Sequence, residues 1–278
     1  MKIIFKDSEL NEGIIKISLD GGFTFTDYEI ADVKETGITL DDSQDYEKIK
    51  IKGPANVLKN LDVLSSINTL YESNLLPEDI TGLVLKEFNG TFDKSLLQKY
   101  PNLTNVTIPN GVTSIGDSAF YNCTSLISIV IPDSVTSIGM YAFVGCSKLT
   151  SVGIPNSVTE IGFNAFGDCS SLTSIDIPDG VTFIINSIFR GCSSLTNVNI
   201  PNSVTEIGMG AFYECSSLTS VTIPSSVIKI NAYAFYGCSS LTSINYTGTE
   251  ELWNAISKGT DWNNGCPSNM VINYNYQG

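Results

Sequence analysis

Leu103-Thr-Asn-Val106-Thr-Ile108-Pro109-Asn-Gly-Val112-Thr-Ser-Ile115-Gly116-Asp-Ser-Ala119-Phe120-Tyr-Asn-Cys123-Thr-Ser125 is one unit of a 23-residue period that returns without a break to Ser240. Leu103, Leu126, Leu149, Leu172, Leu195, Leu218 and Leu241 stand one period apart, and six complete units fill 138 of the 278 residues. A fixed period of this length reads as a solenoid. Each unit is one supersecondary element that cannot bury its apolar face alone and must stack on its neighbours. Such a scaffold offers a long, regular surface, which suits binding better than catalysis.

Within the unit, Val106, Thr107 and Ile108 alternate in, out, in along a short strand. Pro109, and after it Pro132, Pro155, Pro178, Pro201 and Pro224, closes that strand, because proline has no N–H for the ladder. A turn at Asn110-Gly111 leads to a second alternating strand from Val112 to Ile115. Gly116 marks a bend. Asp117 or Ser118 is placed to cap a short helix through Ala119, Phe120 and Cys123. Phe120, Phe143, Phe166, Phe189, Phe212 and Phe235 should stack as an internal ladder. Two units depart from the pattern. Ile185 and Asn231 replace the glycine found as Gly116, Gly139, Gly162 and Gly208, and Ile188 replaces alanine. If the bend needs a left-handed backbone, Asn tolerates it and Ile does not. The unit around Ile184–Phe189 is therefore expected to be distorted, with Phe183 and Ile185 more exposed than their counterparts and the weakest joint of the array beside them.

The repeated L-x-x-V-x-I-P-x-x-V-x-x-I-G-x-x-A-F-x-x-C-x-x closely resembles the BspA-type (Treponema-type) leucine-rich repeat family, over Leu103 to about Ile244. Ile244-Asn-Tyr-Thr-Gly-Thr-Glu-Glu-Leu-Trp253-Asn-Ala-Ile256 resembles the segment that closes such arrays in bacterial surface proteins. The resemblance implies a leucine-rich-repeat solenoid, curved, with parallel strands and short helices on its outer side. It also implies adhesion at the cell surface of host-associated bacteria or protists.

The ends of a solenoid need covering. Ile80-Thr-Gly-Leu83-Val-Leu85 sits one period before Leu103, and Phe92, Leu96, Leu97 and Tyr100 fall at core positions, so residues 54–102 read as degenerate repeats ahead of the regular array, 103–243. Residues 1–53 read as a small β-rich module or cap. Its strands are expected at Lys2–Phe5, Gly13–Leu19, Phe23–Phe25 and Tyr46–Lys52, with a Gly21-Gly22 turn joining two of them. Residues 244–278 read as a C-terminal cap: a helix from Glu250 to Ser257, Trp253 over the last coil, and a final strand from Met270 to Tyr274.

Composition narrows the chemistry. Histidine is absent, which removes Ser-His-Asp and Cys-His catalysis and the commonest metal ligand. The net charge is −14, spread as −7 over residues 1–102 (18 acids, 11 bases) and −7 over 103–278 (11 acids, 4 bases). That field repels phosphate backbones and anionic membranes, so no nucleic-acid partner is expected. No apolar stretch of about 18 residues suggests membrane insertion. The N-terminus lacks the apolar core of a signal peptide, so a cytosolic or phage-borne chain stands beside the surface location that the resemblance implies.

Cys123, Cys146, Cys169, Cys192, Cys215 and Cys238 recur at the period, which stacks them about 5 Å apart. That spacing admits a disulfide between neighbours. A row of free, buried thiols packing as compact hydrophobes explains all six without one. Cys266 stands outside the row and is expected to be more exposed. A linear row lacks the convergence of a metal site. The serines and threonines have no basic partner, Asp41-Asp42 and Glu250-Glu251 read as solvated charges, and the glycines serve turns, so no catalytic, metal or cofactor site is expected.

The more informative signal is variation inside a fixed unit. The outward strand position carries Thr107, Val130, Asp176 and Asn199, and the positions around the bend and beyond the ladder phenylalanine carry Met140, Tyr141, Phe163, Met209, Tyr213, Tyr233 and Tyr236. Neutral drift at exposed sites accounts for variation as such. Exposed, clustered aromatic and methionine side chains are the composition of a binding surface. The sequence therefore points to a non-enzymatic protein-binding or adhesion solenoid. A phage or mobile-element receptor-binding protein, with residues 1–53 as its attachment module, and a glycan-binding protein remain open beside it.

Overall fold

A computed structural model describes residues 102–108 and 110–277, and the backbone of eight strands in the preceding segment. Each coil of the array has two strand sides and a turn side. The first side holds Asn105–Thr107, Ser128–Val130 and Ser151–Gly153, then Ser174–Asp176, Asn197–Asn199, Ser220–Ile223, Ser243–Tyr246 and Val271–Asn273. The second holds Val112–Ile115, Ser137–Ile138 and Glu160–Ile161, then Phe183–Ile184, Glu206–Ile207, Lys229–Ile230 and Ser257–Lys258. Neighbouring coils pair in parallel and in register, as Ile129 opposite Val106 and Ile138 opposite Ile115 show. Inward residues of every side meet in one continuous core of leucine, valine, isoleucine, phenylalanine, alanine and cysteine. The six phenylalanines form the expected ladder, with ring centroids 4.8 Å apart between Phe120 and Phe143 and 5.1 Å between Phe143 and Phe166.

Upstream, Leu61–Ser65 and Gly82–Leu85 pair in parallel and run on to Asn105–Thr107 in the same sheet, and Lys2–Phe5 lies antiparallel on Leu61–Ser65. Gly90–Phe92 lies parallel to Val112–Ile115. Ile14–Ser18 pairs antiparallel with both Thr26–Glu29 and Lys50–Lys52. The Gly21-Gly22 turn, the expected strand at Phe23–Phe25 and the core roles of Leu96, Leu97 and Tyr100 lie outside the described residues.

The turn side departs from expectation. Where a short helix was expected through Ala119, Phe120 and Cys123, the chain makes successive tight turns. The amides of Ala119, Tyr121 and Cys123 bond locally to Gly116, Ser118 and Phe120, while those of Ser118, Phe120 and Asn122 cross to Met140, Ala142 and Val144 of the next coil. A helix would consume all of these donors internally. Here every second donor is spent on stacking, so two residues per coil must turn left-handed to aim them. They are Ser118 and Asn122 in the first coil and their counterparts onward to Asp261 and Gly265. Asp117 caps no helix; its Oδ1 accepts the Met140 amide of the next coil at 2.7 Å.

The bend glycine also has a different reason from the one expected. Positive φ falls two residues later, at Ser118, Tyr141, Asn164, Ser187, Gly210 and Tyr233. The glycine is needed for close approach: a Cβ on Gly208 would lie 2.5 Å from the Ile184 carbonyl oxygen and 2.7 Å from the Asn186 amide. Asn231 keeps its joint paired despite a Cβ, its side-chain amide donating to the Ile207 carbonyl at 2.9 Å, whereas the larger, β-branched and apolar Ile185 has no such bond to offer. Among the described residues no strand pairing joins Ser151–Gly153 to Ser174–Asp176 or Glu160–Ile161 to Phe183–Ile184, and both sheets restart on the far side. The phenylalanine ladder widens there to 5.8 Å with a 22° tilt between Phe166 and Phe189. The coil itself keeps its shape, with Ser187 at φ 58 like its counterparts. Phe183 is half-buried and no more exposed than its counterparts, so its expected exposure is corrected; Ile185 is half-buried like Gly139, Gly162 and Asn231, and more exposed than buried Gly116 and Gly208. The defect lies in the joint, not in the unit.

The C-terminal segment makes a further coil. Ser257–Lys258 pairs with Lys229–Ile230 and Val271–Asn273 with Ser243–Asn245, an offset of 28 residues from Lys229 to Ser257 and from Ser243 to Val271. The five residues beyond the usual period accommodate a helix, Glu250–Ala255, between the two strands. Thr249 caps its start, and the Lys258 ammonium donates to the Trp253 carbonyl (2.6 Å) at its end. Buried Trp253 packs edge-on against Tyr246 and Trp262 and closes the core. Cys266 is not outside the thiol row. It is half-buried and donates to the Phe235 carbonyl (3.3 Å), as Cys238 does to Phe212 (3.1 Å). No helix of the described residues is long and apolar enough to cross a membrane.

Candidate protein-binding face

Two surfaces carry the variable positions. On the first strand side, Thr107, Val130, Asp176 and Asn199 all point outward and are exposed, because Val106, Ile129, Ile175 and Val198 point in. They are small and polar apart from Val130, which is 62% exposed.

The turn side is different. Met140, Tyr141, Met209 and Tyr233 are 38–47% exposed, and Phe163, Tyr213 and Tyr236 are half-buried beside them. The fold sorts these residues into two groups. Tyr141 meets Phe163 edge to face at 5.3 Å. Further along, Tyr213 and Tyr236 stack at 4.9 Å with only 7° between planes, and Tyr233 meets Tyr236 edge-on at 5.9 Å. Stacking follows from the period: both tyrosines sit directly after the ladder phenylalanine, one coil apart. The Arg190 guanidinium, at the same position one coil earlier, lies 5.7 Å from the Tyr213 ring centre, so the second group is a row of cation, ring and ring. Arg190 and exposed Tyr121 belong to this face and were not singled out from the sequence. The signal was present in the shared position of Tyr121, Arg190, Tyr213 and Tyr236, but charge and aromaticity do not announce that they will stack.

Tyr141 and Tyr233 hold left-handed backbone (φ 58 and 60) where other coils place Ser118, Asn164, Ser187 and Gly210. A bulky residue there costs about 1 kcal/mol. The array therefore carries two tyrosines at positions where smaller residues would be more stable.

Acidic groups flank the rings. Asp168 and Glu214 are exposed and left-handed (φ 57 and 58), and each side chain lies over the glycine of the next coil, Gly191 and Gly237. Asp117 and Asp261 are also exposed on this side. On the second strand side, Glu206 accepts from Lys229 (2.8 Å) and from Asn231 (2.7 Å), and these bonds hold its carboxyl below the ordinary range. The thiols are free, and those from Cys146 to Cys238 are buried. Burial pushes Cys123 up to about 12 and raises the others, so they stay protonated and inert at neutral pH. Among the described residues no group of three or more His, Cys, Asp or Glu converges as a metal site.

The BspA-type leucine-rich repeat model matches residues 90–187 and 159–257, in six copies. The chain belongs to the BspA-type leucine-rich repeat family. This BspA-type chain resembles the crystal structure of a T. pallidum leucine-rich repeat protein, at 29% identity over 70% of this chain and 87% of that one, with a TM-score of 0.53. It is also similar to a leucine-rich cell surface protein from Faecalibacterium prausnitzii, at 30% identity over 72% of this chain and 63% of that one, with a TM-score of 0.47. A leucine-rich repeat protein from Eubacterium ventriosum, at 18% identity over 82% of this chain and 95% of that one, shares the fold at a TM-score of 0.54. No curated protein matches the BspA-type chain.

Proposed function

We propose that this chain is a non-enzymatic protein-binding solenoid that acts at a bacterial cell surface, as an adhesin or related interaction module. One observation carries the reading. Large apolar side chains are held exposed along a turn face hydrogen-bonded from coil to coil, two of them on left-handed backbone that disfavours bulky residues. A surface shaped only by stability and solubility has no use for that arrangement. Tyrosine supplies a large, rigid, amphipathic contact area, as in many protein-binding sites.

The test is capture of ligands from host mucus, epithelial and bacterial-surface extracts. The intact chain is used beside a variant with Met140, Tyr141, Phe163, Met209 and Tyr233 changed to serine, both checked for native circular dichroism. A protein ligand held by the first and lost by the second is the expected result. Equal capture by both would move binding to the row of Thr107, Val130, Asp176 and Asn199, and no capture by either would overturn the reading.

A further inference from the structure

The turn face has a charge as well as a shape. Its exposed carboxylates, Asp117, Asp168, Glu214 and Asp261, have no ion-pair partner among the described residues, where the salt bridge is Lys229 to Glu206 on another side. A cation of this face, Arg190, lies over Tyr213. The face is thus a line of aromatic rings bordered by unneutralised carboxylates, on a chain of net charge −14.

Arg190 shows what such a surface holds. It is a guanidinium on a tyrosine face, in a row that continues to Tyr236. At the next coil the row stops. The Gly237 amide donates to Asn264 where the Glu214 amide donates to Tyr236, so Asn264 occupies the corresponding position, and exposed Asp261 lies three residues before it. Beyond Tyr236 the row therefore has no further ring or internal cation, but it has a carboxylate and the edge of Tyr233. A cation there would gain both ring and carboxylate contacts.

The spacing is also regular. Asp168 and Glu214 are two coils apart, and each lies against a glycine of the next coil: Gly191 for Asp168 and Gly237 for Glu214. Two coils span about 10 Å at the usual strand separation. An extended chain rises about 3.1–3.4 Å per residue, so basic side chains three residues apart reach successive carboxylates.

We infer that the turn face between Asp117 and Asp261 docks an extended, basic segment of a partner protein, whose lysine or arginine side chains seat on the tyrosine rings between Asp168, Glu214 and Asp261. This inference rests on the protein-binding reading above and names the chemistry of the partner. Complementary charge decides the occupant: an acidic segment would meet four carboxylates, and a neutral glycan would leave them unused.

The experiment is titration calorimetry of the full chain with three synthetic peptides: three repeats of Ala-Pro-Lys, of Ala-Pro-Glu and of Ala-Pro-Gln. The lysine peptide should bind, and the glutamate and glutamine peptides should bind at least about tenfold more weakly. Its affinity should fall between 0.05 and 0.5 M salt, as screening shortens the reach of the carboxylates. The pair Asp168→Asn with Glu214→Gln changes no buried group and should weaken binding roughly threefold to tenfold. Tyr236→Ser, verified as folded by its melting curve, should weaken it by a similar factor. No binding of the lysine peptide, or equal binding of all three, overturns the inference. So does unchanged affinity in the Asp168→Asn, Glu214→Gln chain. If the lysine peptide fails while extract capture remains sensitive to the five serine substitutions, the docking inference falls and the binding reading stands. If, in addition, neither chain captures a ligand, both fall.

Discussion

Two neighbouring joints of one array are built from nearly the same sequence and hold together differently. Between the fourth and fifth coils, Gly208 lets the backbones close, its amide bonds the Ile184 carbonyl at 2.7 Å, and both strand ladders run through. Between the third and fourth, Ile185 takes the glycine's place and both ladders stop. What remains there is the turn side, with bonds from Asn164, Phe166 and Asp168 to Asn186, Ile188 and Arg190, the Thr173 to Thr150 bond, side-chain bonds from Cys192 to Phe166 and Ser193 to Ser170, and the packed core. The lesson is that a solenoid coil can be sound in itself while its contact with its neighbour is not. Stability in such arrays is a sum of coil terms and joint terms. The weak joint also separates the two aromatic groups of the turn face, Tyr141 with Phe163 before it and Arg190, Tyr213 and Tyr236 after it.

The largest test of this comparison is in the core. Phe143→Ala should destabilise the chain by about 3–5 kcal/mol in urea unfolding. Phe189→Ala should fall toward the low end, because Phe189 already stands 5.8 and 5.5 Å from its neighbours whereas Phe143 stands at 4.8 and 5.1 Å. Equal losses would mean that ladder spacing does not govern the contribution.

Next in size, Gly208→Val should create a second open joint. A loss of about 1–3 kcal/mol is expected from the forced displacement. Unfolding followed by circular dichroism should broaden or split, since coupling between coils is what makes it cooperative. A single sharp transition at unchanged midpoint would show that the close approach of Gly208 to Ile184 is dispensable.

The converse change, Ile185→Gly, should close the existing joint. Hydrogen exchange at positions 182 and 185 should slow by about tenfold, equivalent to 1.4 kcal/mol of local protection. Net stability should move less than that, because a half-buried isoleucine is lost. Unaltered exchange would place the cause of the break elsewhere. Asn164, at the same joint, is buried with an Oδ1 that has no hydrogen-bond partner and a left-handed backbone (φ 53). Asn164→Gly should be neutral or stabilising by up to about 1 kcal/mol in the same assay.

The smallest effect is on the surface. Glu206→Gln should lower stability by less than about 1 kcal/mol at neutral pH, since Glu206 and Lys229 are both substantially solvated. The Glu206 carboxyl is depressed in the folded chain. Its contribution is therefore full above the ordinary carboxylate value near 4.5 and is lost as pH falls through the native value. The difference between wild type and variant should vanish in acid and shrink in high salt. A difference that persisted at low pH would mean that the amide disturbs something other than the ion pair.

The repeat determined a great deal by itself. The period, the strand sides, the inward set and the phenylalanine and cysteine rows follow from spacing, because one coil cannot bury its apolar face except against its copies. The departure at Ile185 was visible, and so was a weak joint beside it. The reason was not, since a glycine needed for space and a glycine needed for φ look alike in a sequence. The seventh coil was also half-legible: Gly259 and Cys266 keep the seven-residue spacing of Gly116 and Cys123, but the inserted helix hid the register. Among the candidate site residues, the exposure of Met140, Tyr141, Met209 and Tyr233 was readable from the period, while the partial burial of Phe163, Tyr213 and Tyr236, the stacking of Tyr213 on Tyr236, the place of Arg190 and the turn geometry that replaces the outer helix were not. Those depend on which donors each coil lends to the next, and only the stacked chain decides that.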